Sequence, residues 1–136
     1  DASPGMVARA RERGKHLDCE IEVVRADATR LPVATDRFDG VCATLSLSAM
    51  GDAKSAIDGM HTALQSGGRV AILDARSFQT VPLRWLNPLL EGVSAYITNW
   101  YPEAPIIQSI EATFATVSID TFHDGTVYVV TGQKRE

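Results

Sequence analysis

Few side chains in this sequence of 136 residues have the types and spacing that catalysis requires. Its three histidines, His16, His61 and His123, form no Ser-His-Asp order, and the sequence has neither metal-ligand spacing nor a phosphate-binding loop. His61 lies beside the apolar stripe of a predicted helix, which favours a structural role, and the other two histidines are predicted on the surface. The cysteines, Cys19 and Cys42, are expected to be small core residues in a reducing compartment. The sequence therefore predicts no metal site and leaves the catalytic residues unknown.

Composition narrows the class of protein. Hydrophobic residues make up 45% of the chain and charged residues 22%, which is typical of one globular domain. The formal net charge of -4 argues against a nucleic-acid partner. The longest uncharged stretch, Gly40 to Gly51, is too short for a transmembrane segment, and the first residues show no leader pattern. A cytoplasmic location is the expectation, and the oligomeric state stays open.

The first half of the chain alternates helices and short apolar runs. Ser3-Pro4 predicts the start of a helix that ends near Gly14, and Asp52 predicts the cap of a second helix that Gly67-Gly68 would stop. Three apolar runs predict strands: Ile21 to Ala26, Phe38 to about Leu45, and Arg69 to Ala75. A strand, a helix and a strand in such short order predict a parallel βαβ unit.

The second half is less regular until its end. Pro82 to Trp100 predicts one or two helices, and Pro105 predicts a short helix through Phe114. Val117 to Phe122 and Thr126 to Thr131 alternate in polarity around Asp124-Gly125, which predicts an antiparallel hairpin. The predicted fold class is α/β, with a mostly parallel sheet closed by this hairpin.

Four segments of the sequence follow the patterns of one known family. Residues 1–11 match the family's D-x-S-x-x-M-L-x-x-A-R pattern and residues 25–32 resemble G-D-A-x-x-L-P-F. Residues 37–41 match S-F-D-x-V and residues 60–70 match M-x-R-x-L-x-P-G-G-x-L, with Val33 and Ser66 as departures. The four segments occur in the order and spacing of the class I S-adenosylmethionine-dependent methyltransferases, which this sequence therefore resembles and whose sheet also ends in an antiparallel hairpin. The stretch from Leu86 to Tyr101 resembles the lipid and quinone methyltransferases of the same superfamily.

The resemblance also implies a missing piece. The family's first strand ends in a glycine-rich G-x-G-x-G loop, and no two of the ten glycines here are separated by one residue. In the family's sheet the first two strands lie between the strands that correspond to Ile21 and Phe38. Residues 1–136 are therefore expected to be the C-terminal part of a single methyltransferase domain, with the first strands upstream.

The resemblance implies where S-adenosylmethionine would bind. Asp1 would accept from the ribose hydroxyls, unless it is frayed, and Met6 would pack on the adenine face, unless it is ordinary helix core. Asp27 would accept from the adenine amino group beside the Ala28 N–H, the alternative being a turn cap. Backbone groups of Thr44 and Leu45 would lie near the methionine part of the cofactor.

The acceptor would be a small or lipid-like molecule. The resemblance implies that it lies beside Ser46 and the segment after the third strand, where Arg76 could pair with an anionic acceptor or simply be a surface residue. Tyr96, Asn99 and Trp100, with Tyr101, would form an apolar wall with polar tips, or else core that covers the sheet.

Two rival functions stay open. One is a nicotinamide-dependent Rossmann oxidoreductase, which is not expected to carry the Asp27-Ala28 segment or the closing hairpin. The other is a binding module that keeps the fold without the chemistry.

Overall fold

The computed structural model describes residues 1–98, 100–102 and 104–136, apart from the side chains of Leu90 and of residues 94–98. Its longer elements, in chain order, are α1 Pro4–Gly14, β1 Phe38–Thr44, α2 Ala53–Ala63, β2 Leu64–Ala75, α3 Asn87–Thr98, α4 Ile106–Thr113, β3 Ala115–Phe122 and β4 Val127–Gln133. Single 3-10 turns cover Ala28–Arg30, Leu47–Ala49 and Leu83–Leu86.

The four strands form one mixed sheet in the order β1-β2-β4-β3. β1 and β2 are parallel, with Ala43 opposite Ile72, and the other two pairs are antiparallel, with Asp74 opposite Tyr128. The α/β class, the parallel βαβ unit and the closing hairpin are thus confirmed. His123 and Asp124 both adopt positive φ in the hairpin turn, which brings β4 back beside β3.

Local capping explains where the first two helices begin. The Ser3 hydroxyl accepts a bond from the Met6 N–H at 3.4 Å, and Pro4 stands at the first helical position of α1. The Asp52 carboxylate accepts from the Ser55 N–H at 3.0 Å at the start of α2. Both predicted helix starts are confirmed.

The junction between α2 and β2 differs from the prediction. The helix ends at Ala63 and β2 begins at once with Leu64, so the glycines lie inside the strand and do not stop the helix. Gly67 has φ +75°, and a Cβ on Gly68 would lie 2.8 Å from the Gln65 carbonyl oxygen. These glycines are needed because the chain turns sharply against itself there.

The core lies on one face of the sheet. Ile57 and Met60 of α2 and Ile110 of α4 pack against strand residues that include Ile72 and Val130. The opposite face, called here the open face, carries the alternate side chains: Cys42 and Ala71 are exposed, and Leu73, Ala75 and Val129 are half-buried. Cys19 and Cys42 are both exposed, so the expectation that the cysteines are core residues is wrong.

Ile21 to Ala26 is not a strand, which corrects the prediction. Its backbone bonds go to α1 and to the start of the chain: the Arg11 guanidinium donates to the Val23 carbonyl oxygen at 3.2 Å, and the Ala26 N–H donates to the Asp1 carbonyl oxygen at 3.1 Å. Ile21 and Val24 are 47% and 48% exposed. A β-branched run becomes a strand only when a neighbouring strand satisfies its backbone groups, and among the described residues none lies beside this one.

The irregular middle of the chain is helical, as predicted. The Leu83–Leu86 turn leads into α3, and Pro105 immediately precedes α4, which ends at Thr113. In the described ranges, no helix combines the length and hydropathy needed to cross a membrane.

Candidate functional site

Asp1 is anchored, so the alternative of a frayed residue does not apply. Its carbonyl oxygen accepts from the Ala26 N–H, and one carboxylate oxygen accepts from the Ser3 N–H at 2.8 Å. The Arg25 side chain also donates to the Ala2 carbonyl oxygen at 3.0 Å. These bonds place Asp1 beside the chain that leads into Asp27, so the structure brings the two predicted adenosine contacts into one region.

Asp27 caps the turn that follows it, as the alternative interpretation anticipated. Its Oδ1 accepts from the Thr29 N–H at 2.9 Å and from the Thr29 hydroxyl at 2.8 Å. The backbone bond and then the hydroxyl bond from Thr29 lower the pKa of this exposed carboxyl below its usual value. Oδ2 makes no bond within the described residues, which leaves it available as an acceptor for a ligand.

Ala28 is fixed against α2. It packs on the hydrophobic core, and its carbonyl oxygen lies 3.9 Å from the position that a Cβ on Gly59 would occupy. Met6, by contrast, is 51% exposed, so the alternative that it belongs to the helix core does not hold. An exposed thioether side chain on α1 can pack on a flat aromatic ring.

The carboxyl end of β1 carries the second group of predicted contacts. Thr44 is exposed and Ser46 is half-buried. Leu45 has φ +47°, is 59% exposed, and donates its N–H to the Leu73 carbonyl oxygen at 2.8 Å. A branched side chain is rarely found in the left-handed region, and such strain is concentrated at ligand sites.

Sequence reasoning missed a buried polar pair directly after this turn. Asp74, at the end of β2, is fully buried and accepts from the Ser48 N–H at 3.0 Å, from the Ser48 hydroxyl and from the Ala75 N–H at 2.8 Å. Ser48 is 4% exposed. The pair ties the turn after β1 to the end of β2. Its only signal in the sequence is that a hydroxyl and a carboxylate lie near the ends of two neighbouring predicted strands.

Tyr128 lies next to this pair on β4. It is 2% exposed, and burial, together with the nearby Asp74 carboxylate, raises the pKa of its hydroxyl well above the usual value, although Arg76 opposes the shift. The Arg76 guanidinium carbon lies 5.5 Å from the centre of the Tyr128 ring.

Arg76 and Trp100, both predicted acceptor residues, line one cavity of about 210 Å³ with Phe78 and Val127. Trp100 is half-buried and Tyr101 is 47% exposed. Asn99 and the side chain of Tyr96 lie outside the described residues.

The histidines do not meet at a site. His61 is half-buried on α2 with its ring 5.2 Å from the Phe114 ring in an edge-to-face arrangement. Burial, and then the charge of Lys134, lower the pKa of His61. His123 is an exposed hairpin-turn residue and His16 is exposed after α1. Within the part of the chain that the structure describes, no three His, Cys, Asp or Glu side chains come together as a metal site requires.

The hydrogen-bond acceptors in this region fit the adenosine part of S-adenosylmethionine. Asp1 and Asp27 each have a carboxylate oxygen without a bond among the described residues, and Met6, on the first turn of α1, offers an exposed apolar surface. Such oxygens accept hydrogen bonds, and the ribose hydroxyls and the adenine amino group can donate them. The described residues include no G-x-G-x-G loop that could contact the methionine part of the cofactor.

The first half of the chain matches a known protein family. A family model described as "Methyltransferase domain" matches residues 1–72. A demethylmenaquinone methyltransferase from Clavibacter sepedonicus is 35% identical over 83 residues, which are 61% of this chain and 32% of that protein. The curated relatives are much longer than this chain. The match covers 24% of the length of a methyltransferase from Streptomyces halstedii and 44% of the length of a demethylmenaquinone methyltransferase from Mycobacterium marinum.

Solved structures show the same fold. A SAM-dependent methyltransferase from Thermotoga maritima superimposes with a TM-score of 0.77 at 17% identity, over 99% of this chain and 72% of that one. The N-methyltransferase NodS from Bradyrhizobium japonicum, in complex with S-adenosyl-L-homocysteine, has a TM-score of 0.72 at 19% identity, over 100% and 65% of the two chains. With a family model over residues 1–72, more than half of its length, and this Rossmann-like fold, the chain belongs to the class I S-adenosylmethionine-dependent methyltransferase family.

Proposed function

We propose that the intact protein transfers a methyl group from S-adenosylmethionine to a small or lipid-like acceptor. The observation that carries the proposal is the position of Asp1, Met6 and Asp27: all three fall inside the matched residues 1–72, and the bonds of Asp1 to Ser3 and Ala26 hold the start of α1 beside the chain that leads into Asp27. A quinone-like acceptor is one option, because the Clavibacter relative is a demethylmenaquinone methyltransferase.

S-adenosylmethionine, when bound, would supply a methyl group on a sulfonium sulfur: an acceptor atom would bond to the methyl carbon as the carbon–sulfur bond breaks, and S-adenosylhomocysteine would be the leaving group. The chain's own residues would orient this reaction. Asp1 holds the ribose, Asp27 and the Ala28 N–H hold the adenine, and Met6 covers the ring. The backbone at Thr44 and Leu45 lies at the carboxyl end of β1, the edge where open α/β sheets bind ligands.

Positioning and exclusion of water supply most of the rate for such a displacement, so a dedicated base is needed only for some acceptors. Trp100 and Phe78 line the 210 Å³ cavity and would exclude water from the acceptor. Ser46 would contact the acceptor from the β1 side. We assign no general base, since the histidines lie elsewhere.

We also propose that residues upstream of position 1 complete this domain. Two features support an upstream segment that completes one domain: the open face of the sheet, and the run Ile21 to Ala26, which pairs with no strand among the described residues. Apolar sheet faces and β-branched runs are normally covered. A cytoplasmic location stays a prediction.

Isothermal titration of the intact protein tests the proposed function. S-adenosyl-L-homocysteine should bind with one site, whereas NAD and NADP should give no heat. Binding of a nicotinamide nucleotide without S-adenosyl-L-homocysteine would make the oxidoreductase interpretation the better one. Binding of neither would favour a module that has lost the chemistry.

A further inference from the structure

A second cavity, separate from the predicted cofactor contacts, lies at the carboxyl end of β2. It has a volume of about 370 Å³ and is lined by the loop after β2, by the turn before α3 and by the start of α4, with Tyr128 also in its wall. This volume is within the range of small-molecule sites. The cavity is called here the arginine cavity, after Arg76 and Arg84 in its lining.

The arginine cavity has a positive lining. Arg76 and Arg84 contribute two guanidinium groups, Gln79 and Gln108 add amides, and none of the described lining residues is acidic. Guanidinium groups bind carboxylates and phosphates through paired N–H bonds. The charge therefore selects an acidic group over a neutral or cationic one.

A backbone carbonyl and an aromatic ring of the protein hold the Arg76 side chain in place. Its Nε donates to the Gly125 carbonyl oxygen at 2.9 Å, and its guanidinium lies over the Tyr128 ring. No other donor bond from its guanidinium is present among the described residues, so its terminal nitrogens are available. A guanidinium that is already fixed loses little rotamer entropy when it binds.

The loop that carries Arg76 is also fixed. Asn87 bonds both backbone groups of Phe78, each at 3.0 Å, and the Ser77 hydroxyl donates to Glu91 at 2.6 Å. α3 thus sets the shape of the loop from Ser77 to Gln79, and with it the mouth of the cavity.

Arg76, Ser77 and Phe78 also line the 210 Å³ cavity that contains Trp100. Both cavities therefore border this loop: one contains the two arginines, and the other adds the mainly apolar groups Ala75, Trp100 and Val127 to the shared loop residues. A molecule with an acidic group and an apolar body would fill both.

We infer that the arginine cavity binds the acidic oxyanion group, a carboxylate or a phosphate, of the methyl acceptor, whose apolar body lies against Trp100. The role as acceptor site rests on the proposed function. The binding of an oxyanion by Arg76 and Arg84 does not.

The test is an NMR titration of the intact protein, observed at the arginine Nε–H resonances, with benzoate, inorganic phosphate and benzamide. Benzoate or phosphate should shift the Arg76 signal and bind about tenfold or more tightly than neutral benzamide, since the loss of a charge-assisted pair costs at least this much. Stronger binding of benzoate assigns a carboxylate, and stronger binding of phosphate assigns a phosphate.

Three variants locate the effect. Arg84→Gln should weaken binding about tenfold, and Arg76→Lys should weaken it as well, because a lysine keeps the charge but lacks the paired donors. Arg135→Gln, an exposed arginine at the end of the chain, is the matched control and should change nothing. Equal binding of benzoate and benzamide, or unchanged binding in Arg84→Gln, overturns the inference.

Titration with S-adenosyl-L-homocysteine in parallel separates the two proposals. If it binds and neither anion does, the arginine cavity is not an anion site and the proposed function stands. If an anion binds with the expected arginine dependence and S-adenosyl-L-homocysteine does not, the anion site stands and the methyl-transfer role fails.

Discussion

Replacement of Asp74 should be among the most damaging single changes to this domain. The carboxylate is fully buried and accepts three bonds, two from Ser48 and one from the Ala75 N–H. Asp74→Asn keeps one oxygen but directs an NH₂ group at N–H donors. It should therefore leave at least one buried donor without an acceptor.

The magnitude follows from the bonds that are lost. Ser48→Ala removes one hydroxyl bond to a charged acceptor and should lower the free energy of unfolding by about 1.5–3 kcal/mol. Asp74→Ala removes both acceptor oxygens, and with them all three bonds, and should cost about 3–5 kcal/mol, less than three times the single bond because a buried charge is also removed. Asp74→Asn should fall between the two.

Urea denaturation of the intact protein measures these losses as a lower midpoint with an unchanged slope. The double variant Ser48→Ala/Asp74→Ala should cost about as much as Asp74→Ala alone, because the two residues act through the same bonds. Asp120→Asn, at an exposed position of β3, is the matched control and should stay within about 0.5 kcal/mol of the parent. If Asp74→Asn behaved like Asp120→Asn, the argument from buried acceptors would be refuted.

The other predictions concern the cofactor contact and two titrating groups. Asp27→Asn, which can keep the turn cap, should weaken S-adenosyl-L-homocysteine binding about tenfold in calorimetry, whereas His61→Ala should leave the affinity nearly unchanged; the reverse result would contradict the placement of the adenine site. Because the folded-state pKa of His61 is lowered, the unfolded chain takes up a proton first as the pH falls below about 6.5. Stability should therefore decline on the acid side, and urea midpoints from about pH 5 to pH 7 should decline less in His61→Gln. The pKa of Tyr128 is raised in the folded state, so its effect on stability has the opposite sign. The contribution of Tyr128 to the free energy of unfolding is complete below about pH 10 and is lost at higher pH, because the unfolded chain ionises first. Tyr128→Phe should therefore remove this part of the alkaline loss in the same assay.

Local signals in the sequence predicted most of the fold. The cap residues Ser3 and Asp52 and the turn residues Asp124-Gly125 act through bonds to near neighbours, so their effect can be deduced from spacing alone. Ile21 to Ala26 has the composition of a strand, but a strand also requires a partner, and composition carries no information about one.

The site was predictable only where a family pattern covered it. Asp1 and Asp27 were named from that pattern, and the structure adds that Asp27 also caps a turn. The bond between Ser48 and Asp74 joins residues 26 positions apart, and no periodicity predicts such a pair. The place of Arg84 in the arginine cavity could not be predicted, because only the packed loop after β2 brings it close to Arg76.

β1 pairs with β2 along one side, and among the described residues no strand borders its other side. An uncovered strand edge can pair with a second molecule, so any preparation that leaves this edge bare should be prone to self-association. Cys42 lies on this strand and is exposed, facing away from the core. Its rate of reaction with a thiol reagent would therefore report whether the open face beside this edge is covered. A slow rate in the intact protein would show that another part of the molecule packs there.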